Sequence, residues 1–264
     1  MRSDFEFMSK HVTYNYLKNK YKEGHRIVVS RYGDGEYFII KGKTGRIAKQ
    51  NVGKNLKKAF NYSVRKKGQL ICLPAKTKIS LDNLYKNNYN RFSDNMSRYI
   101  VRCTKHSVYG QGQWRMIDLI HNRSDFITNF FLEKTLIVCG HKDTAIKAFK
   151  NMANIEIYGT PPMNATQDYE IINNEIKSIC KKYTNIIFAC GPLSKILIAD
   201  LIDICDANLI DLGSILGIII NPFSVSIPVV NLWSGIGKKE NKKILNNYSY
   251  EFFESLNRKI YNGL

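Results

Sequence analysis

Short apolar runs between helical patterns constrain the fold of this chain more than any other feature. Thr135 to Cys139 reads TLIVC and Asn185 to Cys190 reads NIIFAC, with almost no alternation between apolar and polar residues. Similar runs are Arg26 to Ser30, Leu70 to Leu73, Ser107 to Tyr109, Asn154 to Tyr158 and Asn208 to Leu212. Strands that are apolar on both faces are typical of parallel sheets covered by helices. The sequence therefore predicts an α/β, Rossmann-like fold with a mostly parallel sheet and helices on both faces.

Helical patterns separate these runs. In the segment Asn55 to Lys67, the residues Leu56, Ala59, Phe60 and Val64 share one helical face. The other segments predicted to be helical are Leu81 to Arg102, Asp168 to Lys182, Leu193 to Cys205 and Tyr248 to Ile260. No repeat and no linker rich in Gly, Ser or Pro divides the 264 residues. We expect one domain over residues 1–264, with a C-terminal helical extension at residues 230–264.

Composition and segment lengths exclude several classes of protein. Apolar residues make up 44% and charged residues 23%, so the chain is not expected to be disordered. No run approaches the ~18 apolar residues of a membrane span, and the first 26 residues contain no signal-peptide core. The six cysteines show no metal-ligand spacing. We expect reduced core cysteines in a cytoplasmic protein.

The chain carries 40 Lys+Arg against 22 Asp+Glu, a formal charge of +18. Lysine and arginine gather at Lys54–Lys58, Arg65–Lys67, Lys181–Lys182 and Lys238–Lys243. A solvated surface, an acidic ligand and the anionic inner face of the membrane are all compatible with this charge. Enrichment of lysine by an AT-rich genome is a further reading, so the charge alone does not identify a partner.

The loop after the first predicted strand contains two carboxylates two residues apart, Asp34 and Glu36. If this loop is extended, both side chains point the same way, and a divalent cation would relieve their repulsion. Oxygen ligands of this kind suit Mg²⁺ or Mn²⁺. Gly33 would let a ligand approach the backbone, and Arg31 would bind phosphate oxygens. The open alternative is an Asp-Gly turn between strand and helix with solvated charges.

A second loop follows the Asn185 to Cys190 strand and leads into a helix. Pro192 suits the first helical position, and the N–H groups after Gly191 would favour an anion, with Lys195 nearby. The segment matches neither the dinucleotide fingerprint nor the P-loop. A purely structural turn is an equally open interpretation.

Three further residues follow predicted strands. Asn164 would hydrogen-bond a base, a ribose or a sugar, or else act as a turn residue or helix cap. Asp211 would serve as a general base, or else cap the turn at Gly213. His141 also lies at a strand end, and we interpret it as a surface or capping residue.

Four loop segments in this order resemble the GT-D-type glycosyltransferases, bacterial enzymes that transfer a sugar from a nucleotide sugar with a divalent metal at a DxE motif. The segments are Arg31-Tyr32-Gly33-Asp34-Gly35-Glu36, Pro161-Pro162-Met163-Asn164-Ala165, Gly191-Pro192-Leu193-Ser194-Lys195-Ile196-Leu197 and Leu209-Ile210-Asp211-Leu212-Gly213. The resemblance spans residues 26 to 215. Each motif is weak singly, and the order of the four gives the resemblance its specificity.

The resemblance implies a metal-dependent hexosyltransferase that makes a polysaccharide or glycoconjugate. It implies that Asp34 and Glu36 bind Mn²⁺ or Mg²⁺, that Gly191 and Pro192 lie at a nucleotide-sugar donor of the uridine diphosphate (UDP) class, and that the acceptor is a glycan or glycoconjugate. The basic charge allows an acidic acceptor. Taken together with the reading of the loops, the expected donor-binding residues are Arg31, Gly33, Asn164, Gly191, Pro192 and Lys195. Asp211 is the expected catalytic base.

One departure from the family pattern and two rival classes of function stay open. The family commonly has a histidine after the Asp-x-Gly element, where this chain has Ser214. A basic nucleic-acid-binding protein or metal-dependent nuclease would also combine positive charge, aromatic residues and paired carboxylates. No RNA-binding signature supports nucleic acid as a partner. A noncatalytic Rossmann-like module that binds a nucleotide or a protein is the other rival.

Overall fold

The computed structural model describes residues 6–42, 45–47, 50–52, 54–74, 88–104, 106–112, 114, 115, 117, 118, 126–221 and 238–261. The strands in this part are β1 (Glu6–Phe7), β2 (Val28–Arg31), β3 (Gly45–Ile47), β4 (Gln50–Val52), β5 (Leu70–Leu73), β6 (Val108–Gln111), β7 (Thr135–Cys139), β8 (Ile155–Gly159), β9 (Asn185–Ala189) and β10 (Asn208–Asp211). The helices are α1 (Lys10–Lys22), α2 (Asp34–Ile40), α3 (Lys54–Arg65), α4 (Asn88–Thr104), α5 (Lys142–Ala148), α6 (Tyr169–Ile179), α7 (Leu193–Leu201), α8 (Ser214–Ile220) and α9 (Lys238–Tyr261). Short 3₁₀ helices are formed by Ile127–Phe131 and Cys180–Lys182.

Eight of these strands form one sheet, in the order β1-β6-β5-β2-β10-β9-β7-β8. Every neighbouring pair in this sheet is parallel. The strands β3 and β4 form a separate antiparallel pair. The predicted Rossmann-like α/β fold is confirmed, and each of the apolar runs named above corresponds to a strand of the large sheet within two residues.

Side chains of the central strands enter separate cores on the two faces of the sheet. In β9, Ile186 and Phe188 pack into one core and Ile187 packs into the other. In β7, Val138 lies in the first of these cores and Ile137 in the second. Since side chains alternate along a strand, a strand with helices on both sides must be apolar at every position. This explains the continuous apolar runs in the sequence.

Some helices and some strands were not predicted from the sequence. Helices occur in all the segments that the sequence predicts to be helical, although residues 81–87 of one of them lie outside the described residues. The helices α1 and α8 and the short strands β1, β3 and β4 were not predicted, and the start of α2 was expected to be extended. All six cysteines are free, as expected, and five are buried. In the part of the chain that the structure describes, no helix has the length and apolar character needed to cross a bilayer.

The helices that follow β9 and β10 lie on opposite faces of the sheet. Leu193 and Leu197 of α7 pack into the core that holds Phe188, whereas Ile215 and Leu216 of α8 pack into the core that holds Ile187. Because β9 and β10 are neighbours, the loops at their carboxyl ends diverge. In open α/β sheets, such a divergence opens a crevice where ligands bind.

We predict that Phe188→Ala lowers the free energy of unfolding by about 3–5 kcal/mol, because it leaves a cavity in a close-packed core. Phe188 lies on a central strand and is 0% exposed. Urea unfolding followed by circular dichroism measures the change. Ile171→Ala is the control, since Ile171 is 62% exposed, and it should change stability by less than about 0.5 kcal/mol. Equal effects of the two substitutions would contradict the assigned core.

Candidate active site

A cleft of about 290 Å³ lies at the carboxyl ends of β2, β7, β9 and β10. Residues of four different loops line it, among them Arg31, His141, Gly191, Gly213, Ser214 and Asn221. This is the crevice opened by the diverging helices α7 and α8. The sheet topology therefore places the cleft where an α/β fold binds its ligands.

Arg31 is the last residue of β2, and its side chain lines the cleft. Its backbone N–H donates a hydrogen bond to Asp211 Oδ2 at 3.1 Å, which links β2 to the end of β10. Gly33 follows in an extended conformation. A Cβ on Gly33 would lie 3.3 Å from both Arg31 Nη1 and Glu36 Oε2. A side chain at Gly33 would therefore crowd both the guanidinium and the carboxylate.

Glu36 is held inside the fold by the start of α2. The Gly33 N–H donates to Glu36 Oε2 at 2.8 Å, the reciprocal half of a helix N-terminal cap. Glu36 is 5% exposed. Burial alone would raise the pKa of its carboxyl, but the charges of Lys195 and Arg31 and the Gly33 N–H outweigh burial, and the pKa is lowered.

The extended geometry expected for the Asp34 and Glu36 pair is wrong, because α2 begins at Asp34. Positions two apart on a helix do not face each other. The backbone of Asp34 is the first turn of α2, whereas its side chain lies outside the described residues. The metal assignment of Asp34 and Glu36 stays a prediction.

Lys195 lies in the first turn of α7 and is 1% exposed. Its Nζ lies 2.8 Å from Asp211 Oδ2 and 3.1 Å from Glu36 Oε1. It also donates to the carbonyl oxygen of Gly191 at 3.1 Å. The ammonium therefore joins the loops that follow β2 and β9 to the carboxyl end of β10.

Asp211 is the last residue of β10 and is 1% exposed. Its Oδ2 accepts a hydrogen bond from the Arg31 backbone and forms an ion pair with Lys195, whereas its Oδ1 is buried without a hydrogen-bond partner among the described residues. Asp211 does not line the cleft. In this arrangement the carboxylate acts as a buried counter-charge beneath the cleft.

Arg115 completes the group of charges. Its guanidinium donates to the Leu212 carbonyl oxygen and lies 3.4 Å, Nη2 to Oγ, from Ser214. Burial and the nearby charge of Arg31 lower the pKa of Arg115, yet an arginine guanidinium stays protonated in proteins. Gly213 has φ +53°, and a Cβ there would lie 2.9 Å from Arg115 Nη1. Only glycine fits this position, for conformation and for space.

These five side chains form what we call the buried charge cluster: Arg31, Glu36, Arg115, Lys195 and Asp211. Three cations oppose two carboxylates, a sum of +1 over these five described side chains, with the side chain of Asp34 outside the described residues. A buried site with excess positive charge attracts anions, and the low local dielectric strengthens the attraction.

The structure brings together most of the residues singled out from the sequence. Arg31 and Gly191 line the cleft, Pro192 is buried at the start of α7, and the other residues lie in or beside the buried charge cluster. Asn164 is the exception, since it follows β8 and is not a lining residue of the cleft. It adopts φ +56°, and its carbonyl oxygen accepts the Gln167 N–H at 2.8 Å. This geometry matches the turn role that the sequence left open.

Arg115 was not predicted from the sequence, whereas His141 is exposed at the N-cap position of α5, in agreement with its interpretation as a surface or capping residue. Arg115 follows β6 and is part of no motif. Its partners include Leu212 and Ser214, which lie far away in the sequence. No local sequence pattern therefore indicates its role. His141 is exposed, lines the cleft and makes no cap hydrogen bond to α5. Its place after an apolar strand was the available signal.

The sequence profile of the glycosyltransferase GT-D fold matches residues 29–217, well over half of the chain. This chain belongs to the GT-D glycosyltransferase family. The matched region starts in β2 and ends in α8, so it contains the cleft loops and the buried charge cluster. The protein is accordingly a glycosyltransferase, and the resemblance noted in the sequence is confirmed.

Solved structures agree with the GT-D identification. A domain of unknown function 1792, described as having a distinct glycosyltransferase fold, is 22% identical with a TM-score of 0.57, over 81% of this chain and 79% of that chain. A protein described as a new glycosyltransferase (DUF1792) from Streptococcus sanguinis is 19% identical with a TM-score of 0.54, over 80% of this chain and 82% of that chain. At such identities the likeness shows a shared fold. No protein with a curated description matches the chain significantly.

The carboxylates at the GT-D cleft bear on how a divalent metal would bind there. Within the described residues, no three His, Cys, Asp or Glu side chains come together as a ready-made metal site. The carboxylates of Glu36 and Asp211 are already neutralised by Lys195. Glu36 Oε2 accepts the Gly33 N–H, and Asp211 Oδ1 has no hydrogen-bond partner among the described residues. The described carboxylates fit an ion whose remaining ligands come from a diphosphate.

We predict that Glu36→Gln flattens the acid dependence of stability. Because the pKa of Glu36 is lowered in the fold, its ionised carboxylate stabilises the protein above the unfolded value of 4.5. That contribution is lost as the pH falls through the folded pKa. The variant should be less stable at pH 7 by about 1–3 kcal/mol, and the difference should shrink below pH 4.5.

Urea unfolding between pH 7 and pH 3 measures this difference. Glu170→Gln is the matched control, since Glu170 is exposed in the first turn of α6, and its stability curve should follow the wild type. A constant gap between E36Q and the wild type across this range would contradict the lowered pKa.

Proposed function

We propose that this glycosyltransferase moves a hexosyl group from a UDP-sugar to a hydroxyl of a glycan or glycoconjugate. The observation that carries the proposal is the position of the cleft above the buried charge cluster. The cleft lies between the diverging loops of β9 and β10, where α/β folds hold nucleotides. Arg31 lines this cleft, and the buried charge cluster gives it a positive potential that suits a diphosphate.

The departure of the diphosphate is the step that these charges would assist. As the glycosidic bond breaks, negative charge develops on the leaving phosphate oxygens. A fixed guanidinium stabilises such charge without reorganising during the reaction. We assign this task to Arg31, whose side chain lines the cleft while its backbone is held by Asp211.

The metal dependence proposed from the sequence rests on the carboxylates that lie beside the cleft. Glu36, with Asp34 from the same helix turn, would hold Mn²⁺ or Mg²⁺ that arrives together with the diphosphate. When bound, such an ion would act as a Lewis acid that neutralises the leaving group. Lys195 keeps Glu36 ionised and fixed, so the carboxylate is ready before the donor enters.

The acceptor hydroxyl must lose a proton, and we propose His141 as the group that receives it. His141 is exposed on the cleft wall at the carboxyl end of β7. Asp211, the base expected from the sequence, is buried and paired with Lys195. A carboxylate in this position is better suited to fix its neighbours than to accept a proton from an acceptor.

The proposed class of acceptor is inferred from the net charge of the chain. The formal charge of +18 supports an acidic glycan acceptor, or work at the anionic inner face of the membrane. The nuclease and noncatalytic alternatives receive no support, because the family identification makes the chain a glycosyltransferase. The proposed location is cytoplasmic.

A panel of nucleotide sugars with Mn²⁺ tests the donor class. We predict that a UDP-sugar raises the melting temperature and releases UDP only with the metal, and that Asp34→Asn reduces this release at least about 100-fold while the fold stays intact. Asp143→Asn is the matched control, since Asp143 lies in the first turn of α5 and is exposed. Full release by D34N in a chelator would refute the metal role, and release from other nucleotide sugars alone would refute the uridine class.

We predict that His141→Gln lowers the rate of sugar transfer about 10²–10⁴-fold, as expected for loss of a general base. The donor KM should change little, because His141 is not assigned to the diphosphate. His25→Gln is the control, since His25 is exposed and precedes β2 at the opposite edge of the sheet. Steady-state kinetics at saturating donor measures both variants, and a full rate in H141Q would remove His141 from the reaction.

A further inference from the structure

We propose that Lys195 is a positioning residue that holds Glu36 and Asp211 in place and makes no contact with the donor. This inference rests on the proposed function, and it departs from the donor-binding role expected for Lys195 from the sequence. Three observations carry it: the burial of the ammonium among three oxygen atoms, the loops that it joins, and the charges around it.

The first observation is that the ammonium is buried among three oxygen atoms. Its Nζ donates a hydrogen bond to the Gly191 carbonyl oxygen at 3.1 Å. It also forms ion pairs with Glu36 Oε1 at 3.1 Å and with Asp211 Oδ2 at 2.8 Å. Lys195 is also 1% exposed and is not a lining residue of the cleft. A phosphate oxygen would have to displace one of these partners to reach it.

The second observation is that the three acceptors come from three separate parts of the fold. Glu36 lies in α2 after β2, Gly191 follows β9, and Asp211 ends β10. Gly191 itself lines the cleft in a left-handed conformation, φ +63°. By drawing the Gly191 carbonyl inward, Lys195 fixes one wall of the cleft relative to the carboxylates beneath it.

The third observation is electrostatic. Without the ammonium, the repulsion between the buried carboxylates of Glu36 and Asp211 would be offset less, by Arg31 and Arg115. Of these two arginines, Arg31 lines the cleft and Arg115 does not. Lys195 therefore holds the carboxylates in position, whereas Arg31 is the described cation that would contact a diphosphate in the cleft.

The test compares Lys195→Met with Arg31→Met, Lys195→Arg and a control. Lys177→Met is the matched control, since Lys177 pairs with Asp200 at 4.0 Å and its side chain is 33% exposed. Calorimetry measures the affinity for UDP and for uridine, both with Mn²⁺. The ratio of the two affinities isolates the contribution of the diphosphate to binding. Steady-state kinetics with the best UDP-sugar measures kcat and the donor KM, corrected for the folded fraction.

We expect R31M to lower the ratio of UDP to uridine affinity at least about 10-fold, as for loss of a charge-assisted contact. K195M should keep that ratio within about threefold of the wild type while kcat falls about 100-fold, because misplaced reacting groups slow the chemistry. K195R should recover part of kcat, and K177M should match the wild type. A ratio in K195M as low as in R31M would overturn the proposal, and so would a wild-type kcat in folded K195M.

A second variant covers failure of K195M to fold. Lys195→Met with Asp211→Asn removes a charge of each sign, and the same affinity ratio then decides whether Lys195 touches the diphosphate. The stabilities of K195M, D211N and the double variant should be non-additive, since the two groups form one network. Additive effects would overturn the proposal. Failure of the wild type to bind UDP would instead refute the proposed donor, and this stability cycle would still decide the role of Lys195.

Discussion

The ion pairs that Lys195 makes with Glu36 and Asp211 are the interaction on which the organisation of the cleft depends. Taking three charges out of water is costly, and their mutual attraction repays the cost only when the geometry is good and each group is hydrogen-bonded. The protein brings these charges together from the first turns of two helices and the end of a strand, and Asp211 Oδ1 is left without a hydrogen-bond partner among the described residues. Since the central strands are parallel and in register, the ends that supply these groups lie at one edge of the sheet.

The sheet explains why the cleft opens beside this network. The helices after β9 and β10 are drawn to opposite faces by separate apolar cores, so their loops separate above the strand ends. Gly191 and Gly213 make the turns in left-handed conformations, and at Gly213 the adjacent guanidinium of Arg115 leaves no room for a side chain. These two glycine turns and Arg31 all line the cleft, which suits a charged ligand such as a nucleoside diphosphate.

The sequence revealed the strands because a strand buried on both faces must be apolar at every position, as in Thr135–Cys139. It revealed the loops because ligand sites follow strand ends. It did not reveal the conformation of the Asp34 to Glu36 segment, since the same residues suit an extended loop or a helix start, and the cap from Glu36 to Gly33 decides between them. The partners of Lys195 and Arg115 lie far away in the chain, and only the folded sheet brings them together.

The burial of these five charged side chains is explained better by ligand binding than by stability. Replacing a buried ion network by apolar side chains is often neutral or stabilising, so stability alone gives no reason for five charged groups under the cleft. These five described side chains sum to one positive charge, which favours an anionic ligand in the cleft. Because the carboxylates fix Lys195 and the backbone of Arg31, this potential is oriented before the ligand arrives. Preorganisation of this kind is what stabilises a departing diphosphate, and it links the folding of this sheet edge to glycosyl transfer.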